Sequence, residues 1–170
     1  MSRVRVDELV YFLDTAFETS RWHSLMANLK DVSEGDYHWA WDGSTSGEGR
    51  SIKGMVRHLA AAKFVYNNNA FGDASTVWAD MQTRISDPDA SMAEDLAWLR
   101  ANHQMLRDSV EAQTDDVLEG ERRTHWGAML PIHAIVSIMV EHDFYHAGEI
   151  NYLRAIRQDT DYWAGARRAT

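Results

Sequence analysis

Apolar residues recur at helical spacing along four stretches of the chain, and the clearest is residues 131–158, PIHAIVSIMVEHDFYHAGEINYLRAIRQ. Ile132, Ile135, Met139, Ile150, Leu153 and Ile156 repeat with the period of a buried helix face, and Pro131 suits a first helical turn. Val6, Val10, Leu13, Phe17, Leu25 and Leu29 predict a first helix over Val6–Leu29. Ser51 can cap a second that runs to about Asn69. Met92, Leu96, Leu99, His103, Leu106 and Val110, spaced alternately by fours and threes, predict a third over Met92–Gln113 with Ser91 as its cap. Between them, Glu34–Arg50, Phe71–Ala90 and Thr114–Leu130 are broken by Gly, Ser, Asp or Pro and read as connections, with a short helix at Val77–Ile85. His38 and Trp41 fall in the first connection, His125 and Trp126 in the last. No stretch alternates as a strand does, so the pattern predicts an all-α four-helix bundle with long connecting loops.

Histidines interrupt the apolar stripe of the last helix. At about 100° per residue, His142 and His146 lie within about 40° of each other on the face of Ile135, Met139 and Leu153. Such a pair can share a metal, because one helical turn brings both rings to a common point. Ordinary hydrogen-bonded core histidines are the competing reading. A third ligand has to come from another helix. His58 shares a face with Met55, Ala62 and Val65 and is the first candidate; His103, in a core slot of the third helix, is its rival. Asp143 and Glu141 project about 100° to either side of the pair, which predicts solvated or outer contacts rather than ligation. Tyr145 is expected to pack between helices, and Tyr66 to sit in the core or at a subunit interface, with pocket lining as the alternative.

Composition narrows the chemistry. The chain has no cysteine, which removes disulfides, thiolate-based zinc sites and any thiol nucleophile of its own. Histidine and carboxylate remain as ligands, and thiol chemistry would need an external thiol. A net charge of −9 with no basic run argues against nucleic acid as a partner. No apolar run suits a membrane span and the N-terminal MSRVRVDELVYFLD lacks a signal segment, so a cytoplasmic location is expected. A chain of 170 residues suits one domain over 1–170. The tail, with Tyr162 and Trp163, is too polar for core, and seven tryptophans suggest a homodimer.

The segments SIKGMVRHLAAAKFVYNNNAFGD, THWGAMLPI and VEHDFYHAGEINYLRAI, in this order and spacing, resemble the DinB/YfiT-like four-helix-bundle metalloproteins. The resemblance implies one divalent metal on His58, His142 and His146; imidazole ligands suit zinc, nickel or iron. The family's glutamine position after the last histidine is Glu149 here, a carboxylate that can add a ligand, orient water or act as a catalytic base. The resemblance further implies use of a low-molecular-weight thiol on a small-molecule electrophile, as in thiol S-transferases and the mycothiol-dependent maleylpyruvate isomerase. Two alternatives stand beside it: hydrolysis by metal-activated water with Glu149 as base, and a non-enzymatic bundle that binds a metal or ligand.

Overall fold

Two serines start the central helices by accepting hydrogen bonds from N–H groups that have no partner within the helix. In the computed structural model, which describes residues 2–40 and 51–158, Ser51 Oγ accepts from Gly54 N at 3.0 Å and Ser91 Oγ from Glu94 N at 3.3 Å. The Glu94 carboxylate accepts in turn from Ser91 N at 2.8 Å and closes a capping box. In chain order the elements are α1 (Val4–Asp14), α2 (Leu25–Leu29), α3 (Glu34–His38), α4 (Ile52–Phe71), α5 (Trp78–Ile85), α6 (Met92–Glu111), α7 (Asp115–Leu118), β1 (Glu121–Arg123), β2 (Met129–Pro131) and α8 (Ile132–Gln158). The long helices form the bundle: α4 packs on α6 and α8, and α1 packs on the same two. That leaves α1 opposite α4 and α6 opposite α8. No helix among the described residues is long and apolar enough to cross a membrane.

The fold is all-α with one small hairpin, and it departs from the periodic pattern in three places. Instead of one helix over 6–29, α1 passes into a π turn at Thr15–Thr19, the chain extends at Ser20 (ψ 114°), and α2 begins afresh at Leu25. Serine hydroxyls cause the break by offering the backbone other partners. Ser20 Oγ accepts from His23 N at 3.2 Å, and Ser24 Oγ caps α2 by accepting from Ala27 N at 3.3 Å. Second, α3 occupies the start of the predicted loop, so His38 lies in a helix, 3.4 Å from the Glu34 carboxylate; Trp41 and the rest of 41–50 lie outside the described residues, as do Tyr162 and Trp163. Third, β1 pairs antiparallel with β2, Arg122 opposite Leu130, and Gly127 takes the positive φ (91°) of the turn. Pro131 ends β2 rather than entering the helix.

The buried apolar residues fall into two clusters. One contains Leu25, Ile52, Met55, Leu59, Leu99 and Ile150, and the other Val6, Leu13, Leu106, Ile135, Val136 and Met139. Polar residues separate them. Lys63 of α4 and Asp143 of α8 are fully buried and meet with Nζ 2.7 Å from Oδ2, Asn102 Nδ2 donates to the Ala60 carbonyl at 2.8 Å, and His103 lies beside them against Phe17. Of the two placements expected for Asp143, solvated surface or outer contacts, its burial excludes the first: α8 is enclosed over more of its circumference than its apolar stripe indicates.

A buried charge is tolerated only with its partner. Lys63→Met should therefore cost about 3–5 kcal/mol in urea unfolding, because it leaves Asp143 buried and uncompensated. The double variant Lys63→Met/Asp143→Leu should regain most of that loss. A single variant as stable as the parent would contradict the pairing.

Candidate metal centre

His58 comes from the first half of α4, while His142 and His146 occupy successive turns of α8. Contact between these helices brings the three together, with one ring nitrogen of each inside a group whose atoms all lie within 4.8 Å of one another. Nε2 of His58 and Nε2 of His142 are 3.1 Å apart. For two neutral imidazoles, that approach requires either a shared proton or a cation held between the lone pairs. Tetrahedral ligands at the usual zinc–nitrogen length of about 2.0–2.1 Å sit roughly 3.3 Å apart, so the pair is near the spacing a cation imposes. Among the described residues, no other group of three or more His, Asp or Glu has this arrangement.

Burial keeps these rings uncharged. Desolvation lowers the pKa of His58, pushes His142 down to about 3 and lowers His146, and the neighbouring rings add repulsion at His142 and His146. Neutral imidazole is the form that ligates. His146 is also oriented: its Nδ1 lies 2.6 Å from Glu149 Oε2, so Nδ1 carries the donated proton and Nε2 keeps its lone pair. Glu149 thereby contacts a histidine of the group and is not itself a member of it. His142 Nδ1 is buried with no partner among the described residues.

Aromatic residues from the connections form the outer wall. Trp78, at the start of α5, stacks on His58 at 5.2 Å and 3°. Its indole Nε1 donates to His125 Nε2 at 3.0 Å, which holds the tip of the hairpin against the site. Arg122 ties the same hairpin to α4 by donating to the carbonyls of Asn69, at 3.3 Å, and Gly72. His125 in turn packs edge-on to Tyr66 at 5.2 Å. A cavity of 320 Å³ opens beside His142, lined by Tyr66, Ile138, Glu141 and Tyr145. A larger one of 620 Å³, between the α2 region and the far flank of α8, contains His23 and none of the three clustered histidines.

A comparison with protein families matches the DinB superfamily over residues 16–150, which is most of the chain. The chain belongs to the DinB superfamily. A comparison with curated proteins finds no match. The DinB assignment agrees with the four-helix core, and the matched span includes all three clustered histidines.

The remaining candidates fall elsewhere. His103, the rival third ligand, stacks on Phe17 at 3.7 Å with an interplanar angle of 6°, and burial drives its pKa down to about 2. It belongs to the polar layer and not to the histidine group. Tyr145 is 63% exposed, which corrects its expected packing between helices, and Glu141 is exposed at the cavity rim. Tyr66 is both buried and cavity-lining. Trp78 carried no periodic signal, since its short helix buries no residue fully. Its only sequence mark is a large aromatic at the start of a polar helix.

The Glu149 contact makes a spectroscopic prediction. In metal-free protein at pH 7.5, long-range ¹⁵N–¹H spectra should place the His146 proton on Nδ1, and Glu149→Leu should move it towards Nε2. A parent ring already protonated on Nε2 would contradict the assigned contact.

Proposed function

We propose that this DinB-superfamily chain is a metal-dependent enzyme in which His58, His142 and His146 hold one divalent cation and a low-molecular-weight thiol attacks a small electrophile. The observation that carries the reading is the convergence of three neutral imidazole nitrogens next to a cavity that reaches His142. Three histidines with adjoining open space are the donor set of a catalytic centre, whereas structural zinc sites close all four positions with protein ligands. A divalent ion held there lowers the pKa of a thiol or water that reaches it.

The protein's own residues divide the remaining work. Glu149 fixes the His146 ring. Trp78 covers one face of His58 and keeps water from it. The chain has no thiol, so the sulfur nucleophile comes from a cosubstrate, as the family resemblance implies. The hydrolytic alternative needs Glu149 as a free base, and its 2.6 Å contact with His146 favours an orienting role instead.

Tag-free protein purified without chelator should contain about one ion per chain. His58→Ala, His142→Ala and His146→Ala should each abolish it while helicity by circular dichroism persists. The loaded protein should consume thiol in the presence of an alkylating probe such as monobromobimane, and Glu149→Gln should retain this activity because an amide oxygen can still accept from Nδ1. Protein that stays empty after incubation with zinc, nickel and iron would end the metal reading. A loaded protein that neither binds nor consumes any thiol would end the transferase reading.

A further inference from the structure

Tyr66 lies two turns after His58 on α4, about 12 Å along the axis, and helical side chains lean towards the N-terminus, here towards His58. The residue is only 9% exposed. Its ring is held between His125 at 5.2 Å and Trp126 at 5.7 Å. Buried phenols ordinarily find a hydrogen-bond partner. The Tyr66 hydroxyl has none among the described residues, yet it is not among the polar atoms sealed from solvent. Tyr66 lines the 320 Å³ cavity that reaches His142, and an unpaired hydroxyl that is not sealed in the core is the part of the residue able to address that space. Burial raises the phenol's pKa, so the proton is present at neutral pH.

The rest of the cavity narrows what that proton serves. Its other lining residues are Ile138, Glu141, His142 and Tyr145, and of these only Glu141 is a carboxylate; none is Lys or Arg. Among these side chains an electrophile that carries its own carboxylate would find no cationic partner and would face Glu141, so that only the metal ion could offset its charge. A neutral, partly apolar molecule fits, provided that it has an oxygen for Tyr66 to address.

We propose that Tyr66 is the proton donor of this centre and that the electrophile is one whose oxygen gains negative charge as the carbon–sulfur bond forms, an uncharged epoxide being the clearest case. The inference rests on the thiol-transfer reading above and names its substrate class. The thiolate's electron pair forms the bond to one epoxide carbon, and the carbon–oxygen bond breaks with its pair left on oxygen. That oxygen takes the Tyr66 proton. The phenolate recovers a proton from water, which replaces the one the thiol lost, and the sum is thiol plus epoxide giving a hydroxy thioether. An alkyl halide, which departs as halide ion, needs no such proton.

The test uses Tyr66→Phe, which keeps the ring and removes only the hydroxyl. Cobalt(II)-loaded parent and variant are titrated with acetohydroxamate, which offers strong oxygen acceptors, and with ethanethiol, whose sulfur is a weak acceptor, both followed by visible absorption. Both proteins should take up one cobalt; the variant should bind acetohydroxamate about tenfold more weakly and ethanethiol within about twofold of the parent. With thiol present, the variant should be slower on styrene oxide by about 10²-fold or more, and its loss on monobromobimane should be at least about tenfold smaller than that. Equal binding of both probes, or equal slowing of epoxide and halide, overturns the role of Tyr66 and leaves the metal centre standing. A parent protein that takes up no cobalt overturns both.

Discussion

The contact between Lys63 and Asp143 is the constraint on which the arrangement of this bundle depends. It lies in the middle of the fold, fully buried, with 2.7 Å between the charged atoms. Apolar side chains can slide along one another at modest cost, but two charges in a low-dielectric interior cannot separate without exposing an unpaired ion. The pair therefore sets the register of α4 against α8. Lys63 is five residues beyond His58 and Asp143 directly follows His142, so the register that closes the ion pair also juxtaposes the histidines. A slip of one turn would move the elements by about 5.4 Å and dissolve both.

Around this contact the core divides into two apolar clusters with a polar layer between them. Lys63 lies 5.4 Å from the centre of the Phe17 ring, whose other partner is His103, so the layer reaches α6 and the segment after α1. Arg57 and Tyr37 both donate to Asp95, at 2.7 Å and 2.9 Å, in a second buried network that anchors α3 and α4 to α6. These interactions are directional where the apolar clusters are not, and they select one packing from the several that four amphipathic helices allow. The same enclosure keeps the imidazoles of His142 and His146 neutral and ready to act as donors.

The connections have a different task. The short helix α5 and the β1–β2 hairpin add little core, but they deliver Trp78 and His125 to the open side of the histidine group. One indole joins the two by stacking on His58 and donating to His125. Tyr66, held by the hairpin tip, then faces the cavity. The four-helix scaffold supplies the clustered imidazole nitrogens and the loops shape the surroundings, in keeping with the general division between rigid frame and functional connection.

Local pattern alone determined the helices α4, α6 and α8, because their apolar period and, in α4 and α6, their serine caps act within a few residues of chain. It also determined that His142 and His146 share a face, and the absence of cysteine confined the candidate donors to nitrogen and oxygen. The break at Ser20 and Ser24 involves only local hydrogen bonds, yet the apolar spacing runs straight across it and conceals it. The closeness of His58, and not His103, to the histidine pair, the burial of Asp143 and the placing of Trp78 and Tyr66 were decided by tertiary structure. Periodicity tells which side of a helix is covered, and only the packed bundle tells what covers it.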